Sequence, residues 1–271
     1  MFISRLQVNI GDNPDRPRPG RLWLRNLYHV HQRLCMAFPS YHRKEHDPEF
    51  LAPYNPDDFP EQHYVADKKK TEVDPVTLAQ VHSPRCSDAG FLFRIDPETG
   101  GRVVILVQSA MKPDWDYAFK NAGYLLAAPM EIKQFDPLFF IKEQHLRFRL
   151  TTNPTRKIDT KSGPDGCRRH GKRVPVPTEQ LFEWLAKRAE SAGFSIKKDT
   201  TVIQPGYIYF KQKRDDKGQR LRSVRYDGIL TITDPARFKE TIIRGIGPGK
   251  AFGFGLLSVA PVHFPLREVV K

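Results

Sequence analysis

The chain has 271 residues, room for two small domains, and its 39% hydrophobic content supports cores while leaving much polar surface. A formal net charge of +13 and a pI near 9.7 favour a polyanionic partner, nucleic acid above all, although ribosomal-type and membrane-surface proteins share such a balance. No apolar run approaches membrane-spanning length, the first ten residues alternate like a strand rather than a secretory leader, and the cysteines are three and scattered (Cys35, Cys86, Cys167). A membrane span and a disulfide framework are therefore not expected, and a reducing, cytoplasmic setting is.

The charge is unevenly placed. Residues 1–137 hold 17 Lys+Arg against 18 Asp+Glu, whereas the remainder holds 27 against 13. The whole excess of positive charge thus belongs to the second half, as expected of one domain that grips a polyanion beside another that does so less.

In chain order, FISRLQVNI predicts a strand by rough alternation, and GDNPDRPRPG a loop. LRNLYHVHQRLCMAF has helical spacing: Asn26 caps it, Leu27, Val30, Leu34 and Phe38 form its apolar stripe, and Pro39 helps to end it. Between Ser40 and Asp88 the periodicity fails in a stretch rich in proline and charge, which predicts an insertion, with VDPVTLAQVH as a short helix inside it. GFLFRID and RVVILVQSA predict two strands joined through PETG as a hairpin, so the order strand, helix, hairpin opens a ferredoxin-like βαββαβ unit.

A second such unit follows. EQHLRFRLTTNP alternates Leu146, Phe148 and Leu150 against Arg147 and Arg149. TEQLFEWLAKRAESAGF predicts a helix capped by Thr178 and stopped by Gly193, burying Leu181, Leu185 and Ala189 with Phe182 and Ala186. FSIKK, VIQPGYIYFKQK and LRSVRYDGILTIT predict strands, DPARFKETIIRG a short helix and GLLSVAP a last strand. The predicted fold class is α+β: tandem ferredoxin-like, RRM-like domains over 1–137 and 138–271, with a cleft between them and a glycine-rich loop at 245–255.

That loop, GIGPGKAFGFGLLSV, is not a P-loop. Ala251 follows Lys250 where a magnesium-binding hydroxyl is required, and the segment sits at the wrong end of the fold. Its glycines permit positive φ and expose N–H groups able to hold a phosphate; a plain turn with Phe252 and Phe254 packed inward is the alternative, and both descriptions can hold together.

GIGPGKAFGFGLLSV, together with NLYHVHQRL, ILVQSAMKPDW (Ile105 to Trp115), LRFRLTTNPTRK and GKRVPVPTEQLFEWLAKRAESAGF, resembles in content and order the CRISPR repeat-processing endoribonucleases of the type I-E system, the CasE family of the RAMP superfamily. The resemblance implies a protein that binds the repeat hairpin of precursor CRISPR RNA and cuts at its 3′ base without a metal or other cofactor. It also implies that the protein stays with the mature guide RNA in a surveillance complex, beside other subunits including an adjacent backbone subunit. Such cleavage uses the RNA 2′-hydroxyl as nucleophile and leaves a 2′,3′-cyclic phosphate and a 5′-hydroxyl. Tyr28 and His31, three positions apart on one helical face, match the family's catalytic Tyr and His. An imidazole suits proton transfer near neutrality, and a tyrosine hydroxyl orients the reacting groups. Some members carry a lysine five positions after the histidine; Met36 stands there in this chain, so Lys250, Arg33 or another cation must supply the charge.

The RNA is expected on Arg33, on the strand face of Arg147 and Arg149, and on Arg156 and Lys157. The basic cluster Arg168, Arg169, Lys172 and Arg173 and a long hairpin bearing Lys211, Lys213, Arg214, Arg220, Arg222 and Arg225 extend that surface. Gly247, Gly249 and Lys250 would hold phosphate. His82 with Cys86 and Cys167 with His170 have ligand-type side chains, but the pairs are remote and not in CxxC form, so no metal site is expected. Two other functions fit the same features: a non-catalytic guide-RNA-binding subunit, and a generic RNA chaperone.

Overall fold

The computed structural model describes residues 1–11, 19–38, 90–97, 102–135, 140–158, 172–210 and 218–262. The expected insertion at 40–88, with the short helix predicted inside it, lies outside them. The chain divides into two units: Met1–Pro137 with Tyr209–Arg220 and Lys250–Gly253, and Leu138–Ile208 with Leu221–Gly249 and Phe254–Lys271.

In the first unit, β1 (Phe2–Val8) buries Ser4, Leu6 and Val8 on one face, as its alternation requires. The proline-rich stretch expected as loop up to Gly20 instead starts a helix, α1 (Pro19–Leu24), at Pro19, whose fixed φ suits a first helical position. Asn26 separates it from α2 (Leu27–Cys35): the residue is extended, and its side chain accepts a hydrogen bond from the Tyr28 N–H. Leu27, Val30 and Leu34 are the buried stripe of α2, and Phe38 is buried just beyond its end.

β2 (Phe91–Pro97) and β3 (Val103–Ser109) pair antiparallel with Phe91 opposite Ser109. Two further elements complete the unit. α3 (Trp115–Phe119) is capped by Asp114, which accepts from the Tyr117 N–H, and β4 (Glu131–Gln134) pairs with β1. Neither is named by sequence pattern: five helical residues are too few for a period, and all four β4 positions are exposed, which erases alternation. The sheet order β2-β3-β1-β4, all antiparallel, is ferredoxin-like.

The second unit repeats that order. β5 (His145–Thr152), β8 (Phe194–Phe210), β9 (Gln219–Ile232) and β10 (Leu257–Pro261) form the sheet β10-β5-β9-β8. α4 (Leu181–Ser191) and α5 (Pro235–Arg244) supply its helices. Leu146, Phe148 and Leu150 of β5 pack with Leu181, Leu185 and Ala189 of α4 and Phe238 and Ile242 of α5 in one core; each aliphatic chain of this kind contributes about 1.5–3 kcal/mol on burial. Tyr226 is fully buried there and donates its hydroxyl proton to the Leu181 carbonyl at 3.0 Å.

Four expectations change. FSIKK and VIQPGYIYF form one strand of 17 residues; β8 is an edge strand, where a proline such as Pro205 is tolerated. The TRK and KRV segments are strands, β6 (Thr155–Ile158) and β7 (Lys172–Pro175), paired as a separate antiparallel ribbon. Thr178 does not cap α4: it begins a 3-10 turn, Thr178–Gln180, and its hydroxyl accepts from Arg222 at 2.7 Å. Trp184 replaces Phe182 and Ala186 among the buried residues of α4, while Gly193 ends the helix region with φ +81°.

Candidate active site

The best-defined chemical group in the first unit is the His31 imidazole. It projects from α2 half-buried, and its ring lies nearly parallel to two phenylalanines of β2: 5.6 Å and 28° from Phe91, 6.4 Å and 16° from Phe93. The Cys35 thiol, one turn later, is 3.6 Å from Nε2 and 3.9 Å from Nδ1. Phe91 and Phe93 are buried, so they offer His31 a fixed aromatic floor. Tyr28 is also half-buried on α2, with its ring 6.4 Å from that of His29.

The glycine-rich segment returns to this place. The 3-10 turn Lys250–Phe252 brings Cα atoms within 8 Å of α2 and of β2. A Cβ built on the next residue, Gly253, would stand 3.1 Å from Phe93 Cε2, and Gly253 has φ +79°. Phe252 packs on Phe210 with ring centroids 4.3 Å apart. The turn bearing Lys250 therefore belongs to the same unit as His31 and seats on the phenylalanine that supports the imidazole. All five glycines of the segment, at 245, 247, 249, 253 and 255, have positive φ, which explains their density without a nucleotide.

Arg33 donates to the Ala118 carbonyl at 3.0 Å and the Asn121 side-chain oxygen at 3.2 Å, which ties α2 to the residues around α3. Met36 caps α2 through its backbone N–H.

In the second unit, Arg147 is exposed on the outer face of β5, and Arg149 on that face lies directly across from Asp227. Asp227 accepts from both Arg149 at 2.6 Å and Arg225 at 2.5 Å, so one carboxylate offsets half of that local charge. Arg222 donates to the Val176 carbonyl at 2.6 Å as well as to Thr178. Arg156, Lys157 and Arg173 are exposed on the β6–β7 ribbon; Arg220, exposed at the start of β9, falls in the first unit. Gly247 packs tightly: a Cβ there would meet Thr152 Oγ1 at 2.4 Å, and one on Gly249 would meet Phe254 Cδ2 at 2.9 Å. Arg168, Arg169, Lys211, Lys213, Arg214 and the side chain of Lys172 lie outside the described residues, as do His82, Cys86, Cys167 and His170.

Phe91 and Phe93 are the residues of this candidate site that sequence reasoning missed. Their only signal, a phenylalanine on alternate positions of GFLFRID, reads as ordinary strand core. That the imidazole rests on them is a long-range fact.

A family model described as CRISPR associated protein matches residues 1–261. The chain is 34% identical over 181 residues to the CRISPR-associated endoribonuclease Cse3 of Thermus thermophilus, covering 63% of this chain and 79% of that one. It is 29% identical over 181 residues to the CRISPR system Cascade subunit CasE of Escherichia coli, covering 64% and 82%. Among solved structures, the CRISPR endoribonuclease Cse3 bound to a 19-nucleotide RNA superposes with a TM-score of 0.62 at 27% identity, over 96% of this chain and 100% of that one. The two ferredoxin-like sheets are shared with it, and the chain belongs to the Cse3/CasE family of type I-E CRISPR endoribonucleases.

Proposed function

We propose that the protein binds the stem-loop of CRISPR repeat RNA and cuts at its 3′ base by metal-independent transesterification. The observation that carries this reading is the half-buried His31 ring, stacked on Phe91 and Phe93 in the same unit as the Lys250 turn. The RNA 2′-oxygen forms a bond to the adjacent phosphorus while the bond from phosphorus to the 5′-oxygen breaks. One proton leaves the 2′-hydroxyl and one reaches the 5′-oxygen, giving a 2′,3′-cyclic phosphate and a 5′-hydroxyl. His31 moves one of these protons, Tyr28 orients the reacting oxygens, and Lys250 supplies the cation that Met36 does not, stabilising the extra charge on the phosphorane-like transition state.

Arg147, Arg149, Arg156, Lys157, Arg173, Arg220, Arg222 and Arg225 bind the phosphates of the same RNA, with Arg168, Arg169, Lys172, Lys211, Lys213 and Arg214 extending that surface. The product guide RNA stays bound in the cytoplasm within a surveillance complex; the relative named as a Cascade subunit supports this part.

The test is single-turnover cleavage of the cognate repeat RNA in EDTA by wild type and His31→Ala. Wild type is expected to cut once per repeat and leave a cyclic phosphate. The variant should bind RNA equally but cut on the order of 10²–10⁴-fold more slowly. Binding without cutting by the wild type would instead establish a guide-RNA-holding subunit, and cutting abolished by EDTA would establish metal chemistry.

A further inference from the structure

Most arginines with a described partner in this chain meet an acid. Arg5 pairs with Glu131, Arg94 with Asp96, Arg149 and Arg225 with Asp227, Arg237 with Asp234 and Arg244 with Glu240. Three arginines of the second unit depart from this pattern: Arg222, which donates to Val176 and Thr178, and the neighbouring pair Arg188 and Arg173. Arg188, on α4, lies over the Trp184 ring with its guanidinium carbon 3.8 Å from the centroid, and donates to the Trp184 carbonyl at 3.3 Å. Trp184 Nε1 donates to the Thr155 carbonyl at 3.2 Å, and the hydroxyl of the same Thr155 accepts from Arg173 at 3.5 Å. Thr155 and Trp184 thus join the two guanidinium groups in one continuous frame on β6, β7 and α4. Among the described residues, neither is bonded to a carboxylate.

Such a pair is unfavourable in isolation. Partial burial lowers the pKa of Arg188, and the charge of Arg173 lowers it further. Two cations held close by stacking and hydrogen bonds, with no acid between them, gain most when an anion with several acceptor oxygens arrives. The planar guanidinium on Trp184 is preorganised, so little side-chain entropy is lost on binding. A sugar–phosphate backbone fits best, because the positive excess of the chain lies wholly in its second half.

We propose that Arg188 and Arg173, framed by Trp184 and Thr155, form a phosphate clamp for the RNA backbone, with Arg188 a binding residue that no charge run in the sequence marks. This rests on the RNA-binding part of the proposed function, but not on the cleavage chemistry.

The experiment measures dissociation constants against salt for full-length wild type, Arg188→Lys, Arg173→Gln and the Arg173→Gln/Arg188→Gln double variant. Two RNAs are used: the cognate stem-loop with a 2′-deoxy nucleotide at the cut position, and an unrelated duplex of equal length. A clamp on phosphates acts on both. The double variant should lose about two units from the slope of log K against log salt on each RNA, Arg173→Gln about one, and Arg188→Lys almost none. Unchanged slopes on both RNAs would sink the clamp, as would a loss confined to the cognate stem-loop, which would mean base recognition. Failure of the wild type to cut an unmodified repeat, with these slopes as expected, would overturn only the cleavage reading. Arg173 is exposed, so its variant keeps the proposal testable even where changing Arg188 disturbs α4.

Discussion

Phe93 lies beneath His31, with ring planes 16° from parallel, and the same phenylalanine meets the backbone of Gly253 in the glycine-rich turn. One fully buried side chain therefore lies beside both the imidazole and the residue that follows the Lys250–Phe252 turn.

Changes at this contact should separate chemistry from binding. Gly253→Ala forces a Cβ into a left-handed conformation and within 3.1 Å of Phe93 Cε2, at an expected cost of about 1–3 kcal/mol. Phe93→Leu opens space under the imidazole at about 1–2 kcal/mol. Both should slow single-turnover cleavage by ten-fold or more while RNA affinity stays within about two-fold. Urea melts and filter binding measure the two halves. An equal loss of affinity and rate would show that the contact serves RNA holding rather than His31.

The buried Tyr226 hydroxyl makes a prediction about alkaline stability. Burial raises its pKa far above the ordinary tyrosine range, against the opposing pull of Arg222 and Arg188. A folded-state pKa above the unfolded value stabilises the protein fully below about pH 10 and loses that contribution as pH rises beyond it, because the unfolded chain releases the proton first. Tyr226→Phe should cost about 1 kcal/mol at neutral pH through loss of the bond to Leu181. The gap between the two proteins should then narrow above pH 10, as read from urea midpoints. A gap that stays constant to pH 11 would contradict the assignment.

Asp227 restrains two of the cations expected to meet RNA. Its ion pairs are partly exposed, with side chains 26–37% accessible, so they contribute little to stability. Asp227→Asn removes one negative charge from the outer face of β5 and β9. Tighter binding of repeat RNA and a salt slope steeper by up to about one unit are expected, with only a small change in melting temperature. Weaker binding would mean that Asp227 orients Arg149 and Arg225 toward RNA and that the order it imposes matters more than its charge.

Much of this protein was legible from local pattern. The Asn26 cap, the apolar stripe of α2, the β2–β3 pairing and the alternation of β5 are short-range properties, set by backbone sterics and by which side chains share a face. The same reasoning failed where the signal was too short or conflicted with composition. Pro19 starts a helix inside what reads as loop, β4 has no buried face, and Thr178 gives its hydroxyl to Arg222 rather than to the helix that follows it.

The amino-acid order alone determined where the positive charge accumulates, that five clustered glycines permit positive φ, and which helix carries the imidazole. Tertiary structure alone decided what each of these groups meets. It set His31 on Phe91 and Phe93, returned the Lys250 turn to the first unit, gave Asp227 to two arginines and left Arg173 and Arg188 with no acid among the described residues. The reason is range. Propensity and periodicity act over a few residues, whereas a ring floor or a shared carboxylate joins side chains sixty or more positions apart, as with His31 and Phe91 or Arg149 and Asp227, and only the packing of whole sheets brings those together.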